Sequence, residues 1–238
     1  MNDTNIATVR QIQGQIHEYY GIDASRYDQK NRLKIRRIYD MIPSVLENKK
    51  KRIVARDIEG MDSKRFKDYQ DEFDYLIASG IALDVKAIST PVFPLVESMS
   101  KNLLKLYLND VGILTGILYR NNINPILNDE CSVNLGTVYE SAVAQELKAH
   151  GFKLFYYDNK KKGEVDFLID DYEHLSVLPL EIKSGKDYYV HSALDYFIEN
   201  EDYSVKDAIV FCNEGTVEVK DGVTYMPVYD VMFLGTAL

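Results

Sequence analysis

Apolar residues at Ile6, Val9, Ile12, Ile16 and Tyr19 recur every three or four positions, which predicts an amphipathic helix over 5–20. Leu33, Ile35, Ile38, Tyr39 and Ile42 repeat the pattern, and the Ile42-Pro43 step is expected to end that helix, because a proline disfavours helical backbone before it, with Val45 and Leu46 left to continue as a short turn. The basic run 49–52 reads as a loop. Asp62-Ser63 offers a helix cap ahead of Phe66, Tyr69, Phe73, Leu76 and Ile77, with Gly80 as the stop, so a helix is expected over 63–79. Residues 81–88 read as a strand. Two X-Pro steps, Thr90-Pro91 and Phe93-Pro94, interrupt regular structure, and 103–119 then reads as one buried apolar segment.

The pattern changes after residue 120. Residues 121–134 are polar, rich in turn formers and contain Pro125, which suits a linker. Beyond it a helix runs from Gly136 through Val138, Ala142, Val143 and Leu147 to Gly151. Alternating, β-branched stretches follow at 152–157, 165–169 and 176–182, then a helix over 191–201, an apolar strand at 208–211 and a hairpin around Asp221-Gly222. The expected organisation is a helical part over 1–120, a linker over 121–134, and a mixed α/β part over 135–238 in the order αβββαβ.

Composition narrows what such a chain can do. With 46% hydrophobic and 27% charged residues it is a globular chain, with no signal-peptide pattern and no apolar run long enough for a membrane span, so the cytoplasm is the expected place. Cys131 and Cys212 have no CxxC spacing, which argues against zinc and for reduced structural thiols. The net charge of −9 is unevenly spread: residues 1–120 hold 19 Lys/Arg against 16 Asp/Glu, and 121–238 hold 9 against 21. An acidic half repels a phosphate backbone, so the first half is the expected grip on any DNA or RNA partner.

The acidic half nevertheless carries a patterned polar set. Asp166 lies in one strand-like run, and Glu181-Ile182-Lys183 closes the next, across an apparent hairpin. Strand side chains alternate, so Glu181 and Lys183 share a face while Ile182 turns away, and Asp166 is expected opposite an apolar row of Val165, Phe167 and Ile169. Glu140, on the preceding helix, is placed to complete the acidic set. Gln145 is a lesser candidate. Phosphodiester hydrolysis needs hard oxygen ligands for Mg²⁺ or Mn²⁺, a positioned water, and positive charge beside the developing oxyanion. Asp166 and Glu181 are the candidate ligands, and Lys183 the group that orients or deprotonates the water or stabilises the transition state. Acid, E-x-K and flanking elements together resemble the PD-(D/E)XK nuclease-like core, with Val165 where that motif has proline.

The resemblance extends over the chain. Residues 34–43 (KIRRIYDMIP), 91–95 (PVFPL), 105–114 (KLYLNDVGIL), 136–147 (GTVYESAVAQEL), 163–167 (GEVDF) and 181–185 (EIKSG) resemble the uncharacterised C-terminal region behind the ATPase module of bacterial and archaeal AAA-type ATPases. That resemblance implies a winged-helix-like part followed by the nuclease-like part, with an ATPase module as the normal companion in one polypeptide. No G-x-x-x-x-G-K-[ST] occurs in this chain, so no ATP site is expected in it. In the winged-helix reading, Lys64, Arg65 and Lys67 at the start of the 63–79 helix, with Lys50, Lys51 and Arg52, are the candidate phosphate contacts. Two functions stay open from sequence: a Mg²⁺-dependent nuclease, or a catalytically inactive nucleic-acid-binding or regulatory module. Oligomeric state is open as well.

Overall fold

The computed structural model describes residues 6–27, 31–120, 122, 124, 128, 135–203, 205–213 and 215–235. It is mixed α/β with a mixed sheet, and it divides into one unit of residues 1–84 and 105–134 and another of 85–104 and 135–238. Most of the expected linker, 121–134, and Cys131 with it, lies outside the described residues.

The first unit holds α1 (Ile6–Tyr27), α2 (Arg32–Leu46), α3 (Ala55–Glu59), α4 (Gln70–Ala78) and α5 (Val111–Tyr119). Helix α1 runs past the expected end at 20. It passes Gly21, whose missing Cβ leaves room for the Arg36 guanidinium of α2. The His17 ring and Tyr39 hydroxyl meet at 2.7 Å, and Arg10 donates to the Gly112 carbonyl and the Thr115 hydroxyl at 2.8 and 2.9 Å. These polar ties hold α1, while Val9, Ile12 and Tyr19 of its apolar stripe stay exposed.

Three expectations fail here for local reasons. Helix α2 does not stop before Pro43 but continues to Leu46. A proline inside a helix costs about 3 kcal/mol, and burying Val45 and Leu46 contributes about 1.5–3 kcal/mol each, so the last turn survives. The 63–79 helix is a 3-10 turn, Phe66–Tyr69, followed by α4. The capping carboxylate is Asp68, which accepts the Arg65 N–H at 2.8 Å, rather than Ser63. Phe66 then stacks on Phe73 at 4.5 Å, with Phe73 and Leu76 buried. The 103–119 segment splits into β2 (Met99–Leu108) and α5, because Asp110 accepts the N–H groups of Gly112 and Ile113 at 2.6 and 3.1 Å and starts a helix.

The sheet has eight strands, ordered β2-β1-β3-β4-β5-β6-β8-β7, with β1 at Ala82–Ile88, β3 at Phe155–Asn159, β4 at Gly163–Asp171 and β5 at Ser176–Ile182; β3 to β8 lie wholly in the second unit, and β1 and β2 in part. Strand β6 is Ala208–Cys212, β7 Glu218–Lys220 and β8 Val223–Pro227; α6 (Gly136–Ala149) and α7 (Ser192–Ile198) are its helices. Between residues 136 and 212 the order is helix, three antiparallel strands, helix and a strand parallel to β5, the αβββαβ order expected from the pattern. Beside it, β1 pairs with β3 in parallel through Lys86 and Ala87, an addition the sequence pattern did not announce. Helix α6 ends at His150 with Gly151 at φ 88°, a left-handed stop. Asp221 and Gly222, both at positive φ, make the expected hairpin turn between β7 and β8. Phe155, Val165, Leu168, Val177 and Val210 from the strands and Leu194 and Phe197 from α7 form one buried cluster.

Candidate active site

Strands β4 and β5 pair with Phe167 opposite Leu180 and Leu168 opposite Pro179, and Asp166 and Glu181 are the residues that adjoin this end of the pairing. Against β3 the same strand slips by one: Phe155 faces Leu168, but Tyr157 faces Val165. Three β4 steps therefore answer two on β3, which is a bulge at Asp166-Phe167. The expected single apolar row of Val165, Phe167 and Ile169 is corrected by this. Val165 and Leu168 enter the same buried cluster, and β4 is apolar on both faces, so Asp166 owes its place to the bulge and not to simple alternation. One carboxylate oxygen of Asp166 accepts the Ile182 N–H at 2.9 Å, tying it to the end of β5.

Glu181 is 6% exposed, and one of its oxygens lies 2.8 Å from the Lys183 ammonium. The alternation expected of E-x-K is present: the two side chains meet while Ile182 is packed separately as a buried apolar residue. The Lys183 N–H donates to the Phe211 carbonyl at 2.8 Å, so this end of β5 stays anchored to β6. The other Glu181 oxygen, Oε2, is buried and has no hydrogen-bond partner among the described residues. Such an orphan is uncommon, because a buried acceptor without a donor loses its hydration with nothing in return.

The electrostatics follow from this geometry. Burial pushes the Glu181 carboxyl pKa up; Lys183 pulls it back, Glu140 pushes it further, and the net direction is upward. Burial pulls the Lys183 pKa down, but Glu181, Asp166 and Glu140 together outweigh it, and the ammonium is held charged. Glu140, 5% exposed on α6, thus acts on the same pair. The structure brings Asp166, Glu181, Lys183 and Glu140 into one electrostatic cluster, with Gln145 half-buried one turn further along α6.

Among the described residues no three His, Cys, Asp or Glu side chains are gathered closely enough to cage a metal ion. Mg²⁺ is commonly held by one or two carboxylates with waters completing the octahedron. A buried carboxylate oxygen on Glu181 without a hydrogen-bond partner among the described residues fits that kind of hard-oxygen site, with Asp166 on the neighbouring strand as the second carboxylate.

The expected phosphate contacts of the first unit are more scattered. Lys50, Arg65 and Lys67 are exposed, and Lys51 and Arg52 are half-buried. Lys64 lies 3.9 Å from Glu59, which also meets Arg37 at 3.4 Å and accepts the Tyr69 hydroxyl at 2.7 Å. Lys64 and Arg65 precede the 3-10 turn and do not sit on the first turn of an α-helix, as had been expected. His191 is buried, with its ring 2.7 Å from the Tyr225 hydroxyl and 2.8 Å from Asp195, and so serves the packing of α7. The sequence reading overlooked Lys160, Lys161 and Lys162 in the β3–β4 turn, which adjoins the start of β4; a basic triplet between two strands was the available signal.

No helix among the described residues is long and apolar enough to cross a membrane. No curated protein and no solved structure is significantly similar to the chain. Two family profiles match: residues 135–231 match a domain of unknown function (DUF4143), and residues 1–123 match another (DUF8612). The chain belongs to the DUF8612 family, whose profile covers more than half of it.

Proposed function

We propose that the second unit is a PD-(D/E)XK-like nuclease that hydrolyses nucleic-acid phosphodiesters with Mg²⁺ or Mn²⁺. The observation that carries the reading is the buried Glu181, paired with Lys183 through one oxygen and unpartnered at the other among the described residues, with Asp166 at the same end of the antiparallel β4–β5 pair. Glu181 and Asp166 would hold the ion. The bound ion would supply Lewis-acid polarisation of the phosphoryl oxygen and a more acidic water.

The chain's own residues do the rest. Lys183, kept protonated by its carboxylate neighbours, stabilises the negative charge that builds on the phosphoryl oxygens as water adds and the P–O bond breaks. It is an electrostatic group, since a lysine whose pKa is raised is a poor base near neutral pH. Glu140 favours the positive charge on Lys183, and Ile182 holds Asp166 through its N–H. The first unit, with α2, α3 and α4 ahead of β1, fits a winged-helix-like role beside an ATPase module in a cytoplasmic assembly.

The test incubates the chain with linear, single-stranded and branched DNA and RNA in Mg²⁺ or Mn²⁺. Cleavage is expected, with a loss of at least about a hundredfold in Asp166→Ala and Lys183→Ala, the scale of removing one stabilising group. Cleavage that persists in both variants overturns the reading. A second reading, a catalytically inactive nucleic-acid-binding or regulatory module, is favoured because no three His, Cys, Asp or Glu side chains among the described residues are gathered so as to hold a metal ion. Binding without cleavage would select it.

A further inference from the structure

We propose that the β3–β4 turn and the segment after β5 form a lysine clamp, Lys160, Lys161 and Lys186, that grips a nucleic-acid backbone beside Asp166, Glu181 and Lys183. This deepens the nuclease reading of the same site and rests on it for the substrate class. After residue 120 the chain has nine cationic side chains, all lysines, against 21 carboxylates. Five of the nine, Lys160, Lys161, Lys162, Lys183 and Lys186, belong to the one end of the sheet where β4 begins and β5 ends.

The turn that presents them is built and pinned. The Asn159 side-chain oxygen accepts the N–H groups of Lys161 and Lys162 at 3.0 and 3.2 Å, and the Lys162 N–H also reaches the Asn159 carbonyl at 3.1 Å. Gly163 takes φ 108°, and a Cβ there would lie 3.0 Å from that of Ala193, so the turn sits against the start of α7. Lys162 lies 4.6 Å over the Tyr196 ring of that helix. The charges of Lys160, Lys161 and Lys186 are exposed and form no ion pair among the described residues. The adjacent ammonium groups of Lys160 and Lys161 repel one another, a cost that a phosphate backbone removes with release of its counterions.

The distances suit a continuous strand. Gly163 is three residues from Asp166 along β4, about 10 Å at about 3.3 Å per residue. A nucleic-acid strand covers that span in about three nucleotides at about 3.4 Å each. Lys186 comes three residues after Lys183, beyond the end of β5, so the carboxylates lie between the two groups of lysines in chain order. The grip therefore belongs to the acidic half itself and not only to the more basic first half.

The test uses the full chain and fluorescein-labelled DNA of about 20 nucleotides, single-stranded and duplex, in EDTA, with anisotropy followed from about 50 to about 200 mM salt. The triple variant Lys160→Glu, Lys161→Glu, Lys186→Glu is expected to bind at least about tenfold more weakly and to lose about 2–3 from the log K against log salt slope, at about 0.9 per duplex phosphate. A charge-matched triple, Lys148→Glu, Lys206→Glu, Lys220→Glu, is expected to keep both. Equal loss in the two triples, no loss in the first, or no binding by the unaltered chain overturns the clamp. Cleavage is measured separately: binding that depends on the three lysines, without any cleavage, supports the clamp and overturns the nuclease reading.

Discussion

Glu181 is held in a conflict that a surface carboxylate escapes. Burial disfavours its charge, Lys183 and the Asp166 backbone N–H favour it, and one oxygen has no hydrogen-bond partner among the described residues. Because its folded-state pKa is raised above the unfolded value, its contribution to stability is present at pH below the ordinary carboxylate range and is lost as pH rises through the raised value. Glu181→Gln is therefore expected to gain thermal stability relative to the unaltered chain as pH rises from about 4 to about 8. Melting curves across that range check it, and a difference that does not change with pH would count against a buried charge. Added Mn²⁺ should stabilise the unaltered chain more at higher pH, where the carboxyl is ionised, and leave Glu181→Gln unmoved. The E-x-K pairing behind this was legible in the chain, because a period of two needs only three consecutive residues. The orphaned oxygen was not, since it depends on what α6 and β6 leave open around it.

At the scale of elements, short polar residues decided where helices and turns begin. Asp110 turns one apolar run into a strand and a helix, and Asp110→Ala is expected to cost about 1 kcal/mol, read as a lower denaturant midpoint. Asp171 binds the β4–β5 turn: its carboxylate accepts the N–H groups of Glu173 and His174 and lies 2.7 Å from the His174 ring. Burial pushes its pKa up, but the His174 and Ser176 contacts outweigh that and hold it low. Its contribution is present above the unfolded carboxylate pKa and lost as pH falls through the folded one. Asp171→Asn should therefore destabilise near neutral pH and converge with the unaltered chain in acid, a comparison that chemical denaturation at each pH makes. The strands and the helix over 136–149 were readable from periodicity. The bulge in β4 was not, because a register slip is a property of β3 and β4 together.

Across the molecule, the division into units is not a single cut in the sequence, since residues 85–104 group with 135–238. The β1 pairing through Lys86 and Ala87 covers the edge of β3, where Phe155 and Tyr156 are buried. A fragment of 135–238 is expected to expose that edge and to aggregate where the full chain does not, as size-exclusion chromatography and circular dichroism would show. A folded, monomeric fragment would contradict the need for β1. What the sequence alone determined was the αβββαβ order, the acidic balance after residue 120 and the presence of Asp166, Glu181, Lys183 and Glu140, because these depend on local period and composition. Only the tertiary structure decided that β1 joins β3, that a bulge sets Asp166, and that the lysines of the β3–β4 turn share one end of the sheet with Glu181. Those outcomes require residues far apart in the chain to pair, and no local pattern encodes which distant partner lowers the free energy most.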